Sequence, residues 1–187
     1  KTNVLGAMNV IEAAQDTTVT KVVALSTDKA YQPISPYGCS KAMAEALFLA
    51  ANNARGRYGP AYAVVRYGNV AGSNGSVIPF WRGLIRIGFK EVPVTDPECT
   101  RFWMDQAEAV DLVLGTISTM KGGELAIPIL PAYRLGDLAD AMGVGMKIIG
   151  LPAHEKLHEG MRDGLTSDTA RRLTVDELRS MLTQLPD

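Results

Sequence analysis

The chain has 187 residues, 47% of them apolar and 21% charged, with a formal net charge of −1. That composition belongs to a folded globular chain, and without a basic excess nucleic-acid binding loses its electrostatic footing. Two cysteines, Cys39 and Cys99, and two histidines supply neither a disulfide framework nor a zinc site. The expectation is a reducing cytoplasm, no bound metal and no membrane association, since no run approaches the roughly 20 apolar residues of a membrane span.

Residues 1–14 read as an amphipathic helix and not as a signal peptide, with Val4, Leu5, Met8, Val10, Ile11, Ala13 and Ala14 at helical intervals. Residues 22–26 form a short continuous apolar run, the pattern of a strand buried on both faces of a parallel sheet. Residues 28–36 carry two prolines and no periodicity, which predicts a loop, and 37–52 predict a helix. A second strand follows at 61–67 and a turn at 68–72, so strand, helix and strand make a right-handed βαβ unit. Beyond it, 77–88 predict a helix, 92–94 a short strand, 106–120 a long helix that Asp105 caps, and 124–129 another strand. Residues 134–142 read as a helix, 147–149 as a strand and 174–185 as a terminal helix. Thr174 and Glu177 at the start of that last helix have capping-box spacing.

Tyr37 and Lys41 stand four residues apart at the start of a predicted helix, on one face and one turn from each other. An ammonium beside a phenol favours the phenolate, which makes a base for an alcohol proton. The spacing alone arises by chance on many helices. It gains weight from Ser26-Thr27-Asp28-Lys29 at the carboxyl end of the first strand, because doubly wound sheets place their ligands there. Glycines at 68, 72 and 75 follow a late strand with the wrong spacing for a pyrophosphate loop, and no such loop occurs elsewhere in the chain.

Three stretches carry a resemblance. Leu25-Ser26-Thr27-Asp28-Lys29-Ala30, Tyr37-Gly38-Cys39-Ser40-Lys41 and Val65-Arg66-Tyr67-Gly68-Asn69-Val70 together resemble extended short-chain dehydrogenase/reductases. The Thr-Asp-Lys form is similar to UDP-N-acetylglucosamine 4,6-dehydratases of the polysaccharide-biosynthesis type, and Tyr37 resembles their soluble, C5-inverting branch. Thr2-Asn3-Val4-Leu5-Gly6, Ser76 to Phe80, Thr100 to Trp103 and Glu155 to Glu159 extend the likeness through nearly the whole chain.

The resemblance implies an α/β fold, the carboxyl-terminal part of a Rossmann-like doubly wound parallel sheet with a small α/β substrate-binding region. Residues 1–75 would be the second half of the Rossmann-like domain with the catalytic residues. Residues 76–187 would be mainly the substrate-binding region, with some segments returning to the sheet. Thr27, Asp28, Lys29, Tyr37 and Lys41 are the implied catalytic set. Asn3, Ser26, Tyr37, Lys41, Tyr67, Asn69 and Val70 would meet NAD or NADP, tightly bound and recycled.

A UDP-sugar would be held by Asn69, Pro79, Phe80, Arg101 and Glu155, because a diphosphate takes amide donors and a planar cation. Arg101 beside Phe102 and Trp103 also fits a structural, stacked arginine, and Pro79-Phe80 equally fits the core. His158 reads as a packed polar residue. The implied reaction is oxidation at C4, loss of water across C5 and C6, and hydride return to C6, in surface polysaccharide or glycan precursor synthesis.

Against the resemblance, the first strand, its glycine-rich turn and the following strands are missing from this sequence, and 159–167 are shorter than in relatives. The exposed sheet edge this leaves implies a homo-oligomer or a partner supplying the missing amino-terminal half. Two alternatives therefore stand: a catalytically incomplete fragment or assembly subunit, and a UDP-sugar 4-epimerase or reductase.

Overall fold

The structure is a computed structural model that describes residues 1–186. In chain order the elements are α1 (Val4–Gln15), β1 (Lys21–Thr27), a 3-10 turn (Asp28–Ala30), α2 (Pro36–Ala54), β2 (Ala61–Tyr67), α3 (Val77–Arg86), β3 (Glu91–Val94) and β4 (Thr100–Phe102). There follow α4 (Gln106–Thr119), β5 (Leu125–Ala126), β6 (Ala132–Arg134), α5 (Leu135–Met142), β7 (Gly145–Ile148), β8 (Gly160–Arg162), β9 (Leu165–Thr166) and α6 (Val175–Gln184). They form two compact units, Lys1–Tyr67 with Ala107–Pro128, and Gly68–Gln106 with Ile129–Asp187.

The first unit is a parallel three-stranded sheet in the order β1, β2, β5. Strand β2 is central, and residues 61–66 are all buried, which suits its run of Ala, Tyr and Val. The β1 register, Ser26 opposite Arg66 and Thr27 opposite Tyr67, brings the Ser26–Lys29 stretch level with the end of β2. Helices α1 and α2 contribute Ala7, Ala14, Ala44, Phe48 and Ala51 to a core shared with Tyr62 and Val64. Alanines at these positions let the two helices approach closely, and Asn52 fixes α2 to the sheet by bonding both the N–H and the C=O of Tyr62.

Two expectations fail here. Strand β1 lies at a sheet edge, the exposed edge expected above, but its run is only half-buried and not covered on both faces, with Leu25 exposed. In α1 the small residues are buried, whereas Leu5, Met8 and Val10 face outward. Periodicity finds the helix, and of its apolar positions Ile11 and Ala14 pack on the core whereas Leu5, Met8 and Val10 do not.

The second unit packs Ile78, Trp81, Val92, Val94, Trp103, Leu138, Leu173 and Leu178 into one core. Trp81 spends its indole N–H on the Pro93 carbonyl, and Trp103 meets Tyr133 edge to face at 5.7 Å. Strand β3 pairs with β7 in parallel, and β4 pairs antiparallel with β6. Pattern reading does not reach β4, β6, β8 or β9, because strands of two or three residues carry no period to detect. Helix α6 starts with the expected capping box, in which Thr174 and Glu177 satisfy each other's backbone N–H groups. Among the described residues, no helix is long and apolar enough to cross a membrane.

Candidate active site

Strand β1 ends at Thr27, where the chain turns into the Asp28–Ala30 helix and Thr27 caps it through its side-chain oxygen. That turn gathers Thr27, Asp28 and Lys29. The Asp28 carboxyl is fully buried, and its Oδ1 accepts from the Thr27 hydroxyl at 2.9 Å and from the Lys29 Nζ at 3.2 Å. Its Oδ2 is buried with no hydrogen-bond partner. Lys29 is the outward member of the pair, with its side chain 37% exposed.

Helix α2 opens on Ser35, whose Oγ accepts from the Gly38 N–H, with Pro36 in the first turn. Gly38 is buried against the Asp28–Ala30 turn, and a methyl group there would overlap the Lys29 carbonyl oxygen and press on Pro33. Glycine therefore lets the helix that carries Tyr37 and Lys41 rest directly on the turn that carries Asp28 and Lys29. Tyr37 is exposed. Tyr67, at the end of β2, is near enough for a negative Tyr37 to act on it; burial first, and then Tyr37, pushes the Tyr67 phenol above its ordinary value.

The Lys41 Nζ donates to the Leu25 carbonyl at 2.7 Å. Burial lowers its pKa, and the Glu45 carboxylate one turn on partly opposes that. Lys41, Ser26 and Asn3 line one cavity of about 230 Å³ between α1, α2 and β1. The Asn3 side-chain amide donates to Ser40 at 2.9 Å, and Ser40 in turn donates to the Tyr37 carbonyl at 2.8 Å. Lys41 and Asn3 bring an ammonium and an amide as donors and Ser26 a hydroxyl oxygen that can still accept, a set that suits ribose hydroxyls. The volume is below the roughly 300 to 1,000 Å³ of a whole-ligand pocket and matches only one end of a dinucleotide.

Behind this set lies a feature that motif spacing does not point to. Glu45, buried on α2, accepts the Ser26 hydroxyl at 2.7 Å and the Arg66 Nε at 3.1 Å, and also pairs with the Arg66 Nη2. The Arg66 guanidinium lies 5.9 Å from the centre of the Tyr31 ring. Only the spacing of Lys41 and Glu45, four apart on one helix, hints at it.

Asn69, Val70, Pro79, Phe80, Arg101 and Glu155 all belong to the second unit. Arg101 and Glu155 are brought together, with Nη2 at 2.5 Å from Oε1. Arg101 is buried and also donates to the Thr100 and Leu157 carbonyls at 2.8 and 3.2 Å. Asn69 and Val70 border a cleft of only about 10 Å³ with Phe102 and Trp103, room for no more than a water. Phe80 is exposed on α3, and Pro79 beside it is half-buried.

His158 is part of a polar chain in this unit. Its Nδ1 lies 2.8 Å from the Thr100 hydroxyl, which lies 2.6 Å from that of the fully buried Ser167. The packed-residue expectation suits this arrangement.

A family model described as polysaccharide biosynthesis protein matches residues 1–178. The chain belongs to this family. Within it, the UDP-N-acetylglucosamine 4,6-dehydratase (inverting) of Campylobacter jejuni is 48% identical over 163 residues, covering 86% of this chain and 49% of the relative. The UDP-glucose 4-epimerase of Rickettsia typhi is 41% identical over 166 residues, covering 86% of this chain and 48% of that protein. This polysaccharide biosynthesis family member thus spans about half the length of the curated relatives it matches.

Among solved structures, Pen from Bacillus thuringiensis superposes with a TM-score of 0.90 at 30% identity, covering 97% of this chain and 67% of that one. DesIV, a dTDP-glucose 4,6-dehydratase from Streptomyces venezuelae, superposes with a TM-score of 0.78 at 19% identity over 97% of this chain and 65% of its own. The fold is accordingly α/β and Rossmann-like, as the parallel sheet with its packed helices indicates.

Proposed function

We propose that this chain is the catalytic and substrate-holding portion of a sugar-nucleotide 4,6-dehydratase acting on UDP-N-acetylglucosamine. The observation that carries the reading is the Asp28–Lys29 pair, an acid and a base joined by one 3.2 Å hydrogen bond at the carboxyl end of β1. Dehydration needs both: a base for the C5 proton and an acid for the leaving 6-hydroxyl. A hop of one proton from the Lys29 Nζ to the Asp28 carboxyl leaves the pair's net charge unchanged. It produces a neutral amine and a carboxylic acid, the two forms the elimination uses. That proton arrives on Oδ1, the oxygen that accepts the Lys29 hydrogen bond.

In this reading Tyr37 takes the proton of the sugar 4-hydroxyl, and Thr27 donates a hydrogen bond to the 4-oxygen. Lys29, facing outward, removes the proton at C5, made acidic by the neighbouring ketone, and Asp28 protonates the departing hydroxyl. Asp28 is enclosed in the resting arrangement, so its transfer follows an opening of the turn toward the sugar. A bound nicotinamide dinucleotide, NAD or NADP, would supply the hydride acceptor at C4 and donor at C6. Asn3, Ser26 and Lys41 would hold its ribose end, with Tyr67, Asn69 and Val70 as further contacts. The pyrophosphate site then comes from an amino-terminal part of the whole enzyme or from a partner.

Arg101 is the diphosphate ligand in this account, and its bond to Glu155 is one that the diphosphate exchanges for its own. Asn69, Pro79 and Phe80 complete the substrate contacts. The Rickettsia relatives carry the name of an epimerase, and an epimerase returns its hydride to C4 without loss of water. Incubating UDP-N-acetylglucosamine with the chain, its cofactor-binding part and NAD(P) separates the two readings by mass. The dehydratase gives a product lighter by one water, whereas a product of unchanged mass inverted at C4 would replace this reading with the other.

A further inference from the structure

We propose that Glu45 and Arg66 are positioning residues for the dehydration, because their buried ion pair sets where Tyr37 and Lys41 stand relative to Asp28 and Lys29. This rests on the function proposed above. The pair touches both halves of the site. Glu45 lies on the same helix as Lys41, one turn further on, and takes a hydroxyl from Ser26 immediately before the catalytic turn. Arg66 lies on β2 opposite Ser26, gives its Nε and Nη2 to Glu45, and stacks on Tyr31 at 5.9 Å just after the same turn. One carboxylate and one guanidinium thus connect α2, β1, β2 and the residue following Asp28–Ala30.

A two-point guanidinium-to-carboxylate contact fixes angle as well as distance, which a purely apolar contact at this position would not. Displacements of the order of 1 Å between catalytic groups can cost about a hundredfold in rate. A buried ion pair is often no more stabilising than apolar residues of like volume, so its retention here calls for a reason besides stability. The groups that face the Lys41 ammonium are the Leu25 carbonyl from β1 and the Glu45 carboxylate from its own helix, with the Asn3 amide of α1 lining the same cavity.

The test removes both charges together, in Glu45→Leu/Arg66→Met, so that no buried charge is left unpaired. With the complete dehydratase, the double variant should melt like the wild type and keep KM for UDP-N-acetylglucosamine within about twofold. Its kcat should fall between about tenfold and a hundredfold. A double variant with wild-type kcat would overturn the proposal.

A second arm needs neither substrate nor cofactor. Acetic anhydride labelling of this chain at one alkaline pH, read by peptide mass spectrometry, compares Lys41 with the other lysines. Loss of the Glu45 charge should raise the relative reactivity of Lys41 about threefold or more. An unchanged Lys41 would mean that Glu45 does not act on it. If the wild-type enzyme fails to dehydrate the sugar while Lys41 reactivity still changes, the functional reading fails and the coupling of Glu45 to Lys41 stands.

Discussion

In the proposed mechanism Lys29 is the base of the elimination. It alone of the Asp28–Lys29 pair faces outward, and its ammonium is bonded to the Asp28 carboxyl. Lys29→Ala should lower dehydration at least about a thousandfold, the upper range for loss of a positioned base, while UDP binding measured by calorimetry stays within about twofold. Turnover near the wild-type rate would remove Lys29 from the mechanism. Lys41 makes a different prediction. Burial holds its pKa below the ordinary 10.5, against the opposing pull of Glu45. At a pH between the folded and unfolded values the unfolded chain binds the proton and the folded chain does not, so stability rises with pH through that window. The denaturation midpoint of the wild type relative to that of Lys41→Met should therefore increase as pH approaches 10.5 from below. A falling Lys41 contribution over the same range would contradict the burial seen here.

At the scale of elements, the decisive contact is α2 on the Asp28–Ala30 turn, made possible by the missing side chain at Gly38. Gly38→Ala drives a methyl into the Lys29 carbonyl oxygen, and relief comes only by moving the helix or the turn. Overpacking of this kind costs typically about 1–3 kcal/mol, visible as a lower thermal midpoint, and kcat should fall with it. A variant with wild-type stability and rate would show that the contact is looser than described. Much of this architecture is legible in the sequence: residues 61–67 coincide with β2, and the ends of α2, α3, α5 and α6 lie within a few residues of the periodic pattern. Burial is less legible. Val22 to Leu25 resembles a doubly covered strand, yet which strands flank it is a property of pairing between distant segments. Strand β4 pairs with β6 thirty residues later, and nothing local in Thr100-Arg101-Phe102 announces that. The Glu45–Arg66 pair is hidden for the same reason: its two residues are 21 apart and belong to different elements.

At the scale of the whole molecule, chemistry and completeness separate. Thr27-Asp28-Lys29 and Tyr37 with Lys41, the proposed catalytic set, are legible because they fall in short stretches at one strand end and one helix start. Arg101 and Glu155 are legible only as residue types, since their pairing across 54 positions depends on the second unit's folding. The chain spans about half of its curated relatives, and the pyrophosphate-binding loop that the proposed reaction needs is not among its motifs. Reconstitution with a cofactor-binding amino-terminal part is thus the form in which the account is tested. The most direct measurement is mass spectrometry of the product made from UDP-N-acetylglucosamine in deuterium oxide. Removal of the C5 proton by a solvent-exchanging Lys29, followed by reprotonation there, predicts a product that has lost one water and gained one deuterium at C5. A product of unchanged mass with no deuterium on carbon would contradict the dehydratase assignment.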